Sequence, residues 1–275
     1  MRKLSFKIDF IYIEKVYSLL DKYQNISIFT YGEFFHIDLY LVKEESNLKK
    51  LKNLKRIFGS YRSSVISNKN FIKNNNEKKS VESQLFFITS GEIKKPIIKK
   101  YNLLITSKDV FGTGSHESTF LLIRQIEMQV KKRSFFNVLD LGTGTGILSF
   151  ILRKLIYGKV MASDIDKSSK NNFFYNLKKN NLNNIFFQLS NGFKNKHFNG
   201  KKYDLIVSNM LLSCQIKMLT SYFRNLKNKG LLLISGILKQ HENEIIAKFS
   251  KYKLILKEKL YMENWVSLIF VKKSF

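Results

Sequence analysis

The sequence predicts a doubly wound α/β domain with a mostly parallel seven-stranded sheet, preceded by a small α+β domain of ferredoxin-like arrangement. From about residue 101, apolar strand-like runs alternate with helix-like runs, which is typical of a parallel sheet covered by helices. Two strand-like runs close the chain and indicate an antiparallel edge. Residues 1–66 instead follow the order strand, helix, strand, strand, helix, which favours the ferredoxin-like arrangement.

The N-terminal domain is predicted over residues 1–66. LSFKIDFIYI alternates as a strand, EKVYSLLDKY has helical spacing, and ISIFTYGEFFHIDLYLV contains two strands around a turn at Tyr31-Gly32-Glu33. SNLKKLKNLKRIF has the spacing of a basic amphipathic helix. The polar run SNKNFIKNNNEKKS is the best linker candidate, so residues 67–100 are assigned to a linker, with VESQLFFI as a short helix within it.

The second domain is predicted over residues 101–275. Its predicted strands are FNVLDL, KVMASD, IFFQLS, YDLIVSNM, GLLLISGI and the terminal pair YKLILKEKLY and NWVSLIFVKK. Its predicted helices are ILSFILRKLI, KSSKNNFFYNLKKN, CQIKMLTSYFRNL and HENEIIAKFSKY. Ligands of such sheets bind at the carboxyl ends of the strands, so residues at those ends are the candidates for a site.

Composition restricts the partners and the compartment. The formal net charge is +27, and such a field attracts polyanions, which indicates a nucleic-acid partner. The lysines are spread along the whole chain, however, which favours compositional drift of the coding sequence over a specific footprint. The single Cys214 excludes an internal disulfide, and the four scattered histidines indicate no metal site. Without a membrane-length apolar run or a signal-peptide core, we expect a cytoplasmic protein, acting as a monomer.

A glycine-rich loop follows the first strand of the second domain. VLDLGTGTGIL joins a strand to a helix through Gly142, Gly144 and Gly146, which allow close backbone approach to a ligand. Its spacing is one residue shorter than the dinucleotide fingerprint, and alone it also fits a tight turn. Asp164 ends the next strand, where a carboxylate can bind both ribose hydroxyls or cap a helix. We assign Asp164 to a ribose and Asp166 to the helix cap.

The glycine loop followed by Asp164 resembles the motifs of class I S-adenosylmethionine-dependent methyltransferases, a Rossmann-like fold. The resemblance places the end of the fourth strand, YDLIVSNM, beside the transferable methyl group. Asn209 is followed there by Met-Leu-Leu, and not by the Pro-Pro-Tyr of many amino-methyltransferases. This difference counts against a nucleobase amine and leaves room for an aliphatic one. The alternative is that Asn209 is a plain turn residue.

A second glycine loop, FGTGSHEST, begins at Phe111. It is similar to the F-G-T-G-x-H-x-T-T signature of the ribosomal protein L11 methyltransferases, the PrmA family, although Ser118 replaces the first threonine of the pair. LDLGTGTGIL, SDID, SNMLL, SGILKQHE and ENWVSLIFVKK match successive blocks of that family between Tyr101 and Lys273. The resemblance implies methylation of lysine ε-amines or the α-amine of ribosomal protein L11, with S-adenosyl-L-methionine as the methyl donor.

The resemblance also implies the site residues. Asn209 would be catalytic, and the cofactor contacts would be Phe111, Thr113, Thr119, Gly142, Gly144, Gly146, Asp164 and Asn209. Gly112-Thr113-Gly114 would cover the methionyl end, and the helix starting near Ser118 would favour its carboxylate. His116 either makes a structural loop hydrogen bond or takes part in the site, and residues 1–66 would recruit the substrate.

Two other functions stay open at this point. The charge indicates an RNA methyltransferase. The third possible function is that of a ribosome-associated module that binds the cofactor without catalysis. The same motifs fit all three, so the residues alone do not separate them.

Overall fold

The computed structural model describes the strands at residues 2–9, 26–31, 34–41 and 62–65, and residues 80–90, 99–106 and 114–273. The chain divides into two compact units, Met1–Glu77 and Lys78–Phe275. The helices predicted in EKVYSLLDKY and SNLKKLKNLKRIF, and the polar run after residue 66, lie outside the described residues.

The first unit contains an antiparallel sheet in the order β2-β3-β1-β4. Its strands are β1 (Arg2–Asp9), β2 (Ile26–Tyr31), β3 (Phe34–Leu41) and β4 (Arg62–Val65). The first three were predicted from their alternating apolar residues. The fourth was missed because RSSV is short and polar and therefore has no such alternation.

A three-stranded sheet opens the second unit, in the order β5-β6-β7. Its strands are β5 (Ser80–Glu82), β6 (Phe86–Thr89) and β7 (Tyr101–Leu104). The helix predicted in VESQLFFI is therefore wrong, because this run forms β5, a turn and β6. All four residues of β6 are buried, and periodicity does not distinguish such a short apolar run from a buried helical turn. The buried Glu127 fixes the turn by accepting hydrogen bonds from Ser83 Oγ (2.6 Å) and Leu85 N (2.9 Å).

The main sheet confirms the predicted doubly wound architecture, with the order β10-β9-β8-β11-β12-β14-β13. Its strands are β8 (Asn137–Leu141), β9 (Lys159–Asp164), β10 (Ile185–Leu189), β11 (Tyr203–Asn209), β12 (Leu226–Leu238), β13 (Leu254–Met262) and β14 (Trp265–Lys272). The first five strands in this order are parallel, and β14 is antiparallel to both of its neighbours. The chain runs outward from β8 to β10 and then returns to β11 on the other side of β8. This switch point is where such sheets bind ligands.

Helices cover both faces of the main sheet. Those in the described part of the chain are α1 (Glu117–Lys132), α2 (Ile147–Leu155), α3 (Lys167–Lys179), α4 (Leu212–Asn225) and α5 (Glu242–Lys251). Val138 and Leu139 are consecutive in β8 and enter two different apolar clusters, since neighbouring residues of a strand point to opposite faces. Within the described ranges, no helix combines the length and apolar content that a membrane span requires.

Candidate active site

The loop between β8 and α2 is a tight turn held against β9. Gly142 N and Thr143 N both donate to Ser163 O, at 2.8 and 3.0 Å. Gly142, Gly144 and Gly146 have φ values of 78°, 55° and 93°, a region that side chains rarely adopt. A Cβ atom at Gly142 would lie 2.9 Å from Met210 Cγ, just beyond the end of β11. The turn therefore requires glycine, and it passes directly beside the strand that carries Asn209.

Asp164 is bonded to this loop. Its Oδ2 accepts from Gly144 N at 2.8 Å, and its Oδ1 accepts from Asp166 N at 3.0 Å. Burial is the main cause that raises the pKa of Asp164. Asp166 is the N-cap of α3 and accepts from Ser168 N at 2.8 Å, which confirms the predicted cap. The predicted ribose contact of Asp164 stays a prediction.

A fully buried carboxylate, Asp140, lies under the same loop. Its Oδ2 accepts from Thr143 Oγ1 at 2.6 Å and from Ser149 Oγ at 2.7 Å. Its Oδ1 has no hydrogen-bond partner among the residues the structure describes. Burial raises the pKa of Asp140 to about 6, against the effect of its hydrogen bonds. A buried oxygen without a partner is costly, and it indicates that a donor or a cation completes the site.

Asp140 was not among the predicted site residues. The signal that could have identified it is an acidic residue inside the otherwise apolar strand VLDL, directly before the glycine motif. Such a residue is almost never fully buried unless it has a partner.

Asn209, the last residue of β11, contacts the first turn of α1. Its Nδ2 donates to Oγ1 of the buried Thr119 at 2.9 Å. On the other side lies Gly236, which has a φ of 82°, and a Cβ atom there would lie 3.1 Å from Asn209 Oδ1. Two residues that the sequence assigned to one site are therefore in direct contact, and the amide is held between α1 and β12.

His116 is the N-cap of α1. Its Nδ1 accepts from Ser118 N at 3.3 Å and lies 2.8 Å from Ser118 Oγ, and its ring packs edge-on against Trp265. Burial lowers the pKa of His116. The structural hydrogen bond is thus observed, and Ser118, which departs from the family signature, supplies the hydroxyl. The helix predicted to start near Ser118 begins at Glu117.

The two glycine loops meet at Gly114. This residue has a φ of 87°, and a Cβ atom there would lie 2.6 Å from Cδ1 of Ile147, the first residue of α2. Phe111, Gly112 and Thr113 lie outside the described residues, so their contacts stay predictions.

Two asparagines that the sequence analysis did not single out connect these parts. The Oδ1 of the buried Asn176 accepts from Thr106 N (3.0 Å) and Thr106 Oγ1 (2.9 Å), and its Nδ2 donates to Thr106 O (2.9 Å) and Thr145 O (3.1 Å). Four residues later, at the C-cap of α3, Asn180 bonds to the N and O of Leu104, at 2.8 and 2.7 Å. Asn176 therefore connects the glycine loop at residues 142–146 with the segment after β7, which leads to the FGTGSHEST loop. The sequence signal that could have identified this pair is the i, i+4 spacing, which places two asparagines on the same side of a helix.

The sequence of this chain is similar to those of known proteins. A family described as ribosomal protein L11 methyltransferase (PrmA) matches residues 65–273. The ribosomal protein L11 methyltransferase of Dictyoglomus thermophilum is 32% identical over 58% of this chain and 51% of its own length. The ribosomal protein L11 methyltransferase of Campylobacter lari is 35% identical over 66% of this chain and 62% of its own length. The chain thus spans between half and two thirds of the length of these relatives.

Solved structures share the fold. A ribosomal protein L11 methylase from Lactobacillus delbrueckii subsp. bulgaricus superimposes with a TM-score of 0.63 at 22% identity, over 71% of this chain and 99% of that one. A methyltransferase from Pyrococcus furiosus gives a TM-score of 0.51 at 23% identity, over 62% and 90% of the two chains. Because the family match extends from residue 65 to residue 273, more than half of the sequence, this chain belongs to the ribosomal protein L11 methyltransferase (PrmA) family.

Proposed function

We propose that this chain transfers methyl groups from S-adenosyl-L-methionine to lysine ε-amines or the α-amine of ribosomal protein L11. One observation carries the proposal. The glycine loop, Asp164 and Asn209 lie at the carboxyl ends of three adjacent parallel strands, β8, β9 and β11. A hydrogen bond joins the loop to Asp164, and Gly142 lies beside Met210, the residue after Asn209. Relatives of this family bear the corresponding name.

The residues of the site fit this cofactor. The unpartnered Oδ1 of Asp140 offers a buried anionic partner for the methionyl ammonium. Each carboxylate oxygen of Asp164 accepts one backbone N–H and keeps a lone pair for a ribose hydroxyl. When bound, the cofactor supplies a methyl group activated by a sulfonium. The further contacts that we propose are Phe111, Thr113, Thr119, Gly142, Gly144 and Gly146.

Asn209 is proposed to orient the substrate amine. Because its Nδ2 is engaged with Thr119, Oδ1 is the atom left to accept a hydrogen bond from the amine. A lysine ammonium has no lone pair and must first lose a proton, which water can take. A neutral amide does not hold the amine in its charged form, as a carboxylate would. Fixing the nitrogen in line with the methyl group then supplies most of the acceleration.

The test separates the three functions considered above. The purified protein is incubated with methyl-labelled S-adenosylmethionine and ribosomes, and the ribosomes are then divided into protein and RNA. We expect label in protein L11, and initial labelling about a hundredfold slower with Asn209→Ala under the same conditions. Label in RNA would instead establish an RNA methyltransferase, and cofactor binding without transfer would establish a non-catalytic module.

We further propose that the first unit recruits the ribosomal protein, and that the chain acts as a cytoplasmic monomer whose charge permits contact with ribosomal RNA. A protein beginning at Lys78 should bind the cofactor and lose transfer to L11, while full activity would exclude recruitment by the first unit. The cut belongs at Lys78 because a cut at Tyr101 removes Phe86 and Ile88, which are fully buried in the core of the second unit. Light scattering after gel filtration tests the monomer.

A further inference from the structure

One interval of the second unit is rich in lysine and contains no acid. Between Asp166 and Asp204 the sequence contains no acidic residue. All lysines in this interval are exposed: Lys167, Lys170, Lys178, Lys179, Lys194, Lys196, Lys201 and Lys202. At the opposite edge of the main sheet, by contrast, lysines pair with acids, as in Lys259 with Glu242 and Lys132 with Glu258, both at 2.7 Å. Compositional drift of the coding sequence would distribute lysines along the whole chain, but it does not explain why acids accompany them at one edge of the sheet and not in this interval.

An exposed aromatic ring lies within this interval. Phe186 belongs to β10, the outermost strand, and 49% of its surface is exposed. The next residue, Phe187, packs against Phe173 on α3, with ring centroids 5.0 Å apart, and so anchors the strand. Phe186 points to the other side of the strand, where Lys201 Nζ lies 5.7 Å from its ring centroid and the His197 ring is equally distant. The protein thus presents a half-exposed apolar ring beside the Lys201 ammonium and the His197 ring.

A cleft of about 320 Å³ adjoins this ring. Its cationic lining consists of Lys201, Lys202 and Arg224, and Asn199 and Asn225 add amide groups. Lys201 lines the cleft and also contacts the Phe186 ring, so this side chain connects the two features. We call Phe186, His197, Lys201, Lys202 and Arg224 together the β10 edge surface.

We infer that the β10 edge surface binds single-stranded RNA. A base would stack on Phe186, and the adjoining phosphates would contact Lys201, Lys202 and Arg224, which is the combination that single-stranded nucleic acids require. The choice of RNA rests on the proposed function, since an enzyme that modifies a ribosomal protein works beside ribosomal RNA. None of the five residues named is acidic, which disfavours a basic protein as the occupant.

Fluorescence anisotropy with a short labelled oligouridylate tests the inference on the full chain, without cofactor or methyl transfer. Phe186→Ala should weaken binding at least about fivefold, the lower end of the loss for one stacked base. Phe186→Leu, which keeps an apolar side chain for folding, should weaken it similarly. Lys201→Gln should weaken binding and reduce the slope of log affinity against log salt by about one.

The matched controls lie at the other end of the sheet. Tyr252 is 43% exposed and follows the exposed Lys251 at the end of α5. Tyr252→Ala and Lys251→Gln should leave the affinity nearly unchanged. Equal losses in the controls would show that only net charge matters, and unchanged binding by Phe186→Ala, or no binding by the parent, would also overturn the inference. A failure of methyl transfer would contradict the proposed function, but the anisotropy measurement of RNA binding would still test this inference.

Discussion

Asn209 donates a hydrogen bond from Nδ2 to Thr119 Oγ1 across 2.9 Å, although 90 positions separate the two residues in the chain. The bond connects the end of β11 with the first turn of the helix that follows the second glycine loop. It orients the amide, because the nitrogen faces Thr119 and the oxygen is left to accept from another donor.

Thr119→Val removes the acceptor of this bond and keeps the shape of the side chain. With the amide no longer oriented, we expect kcat for methyl transfer to L11 to fall about tenfold, which corresponds to ~1.4 kcal/mol. Thr119→Ser keeps the hydroxyl and should keep most of the activity. Single-turnover transfer measures both, and a Val variant as fast as the parent would exclude an orienting role for the bond.

Asn209→Ala should reduce turnover about a hundredfold, with a much smaller effect on cofactor affinity, if the amide positions the amine. Asn209→Asp is the sharper variant because a carboxylate stabilises the ammonium and raises the pKa of the substrate amine. Its activity should be low at neutral pH and recover partly as the pH rises. A pH–rate profile like that of the parent would leave Asn209 as a turn residue.

Asp164→Ala should weaken S-adenosylmethionine binding at least about a hundredfold, from the loss of two hydrogen bonds of roughly 1.5–3 kcal/mol each. Asp166→Ala is the matched control, since Asp166 caps α3 and is expected to affect stability far more than affinity. Isothermal titration measures both affinities. Equal affinities in the two variants would reject the ribose contact.

Asp140 should make the unfolding free energy depend on pH. Its pKa is raised to about 6 in the fold, so between about pH 4 and 6 the folded chain holds a proton that the unfolded chain releases. This contribution is complete below pH 4 and is lost as the pH rises through 6, with a size of at most about 3 kcal/mol. Asp140→Asn should therefore gain stability relative to the parent across this interval. Urea unfolding of the cofactor-free proteins at several pH values measures the difference, and a constant difference would contradict the assignment.

Asn176→Ala should destabilise the fold and weaken cofactor binding together. The substitution removes the hydrogen bonds to Thr106 N, Thr106 O and Thr145 O, and each such bond contributes about 0.5–1.5 kcal/mol to stability. Asn171→Ala, at an exposed position of the same helix, is the control. Thermal unfolding with and without S-adenosylmethionine distinguishes the two effects. A variant that loses stability but binds the cofactor normally would mean that Asn176 does not position the glycine loop.

Local sequence signals predicted the main sheet and brought Asp164 and Asn209 to the correct strand ends. Local sequence signals did not predict those parts of the structure that depend on burial by distant elements. The FFIT run of β6 is buried on both sides, so it has no periodicity to read. The partners of Asn176 lie 70 and 31 positions away, and the burial of Asp140 depends on elements that pack over it, so neither is visible in a local pattern.

The asparagine contacts of α3 also have a consequence for association between chains. Among the described residues, β7 is the outer strand of its sheet and pairs with β6 alone. On its open side, Asn180 and Asn176 bond to both backbone groups of Leu104 and of Thr106, two residues further along. A helix thereby supplies, through two amides, the hydrogen bonds that another strand would otherwise supply. Unpaired edges are the usual starting point of strand-to-strand aggregation, so this edge is closed to a second molecule at the point where the chain leaves for the glycine loop.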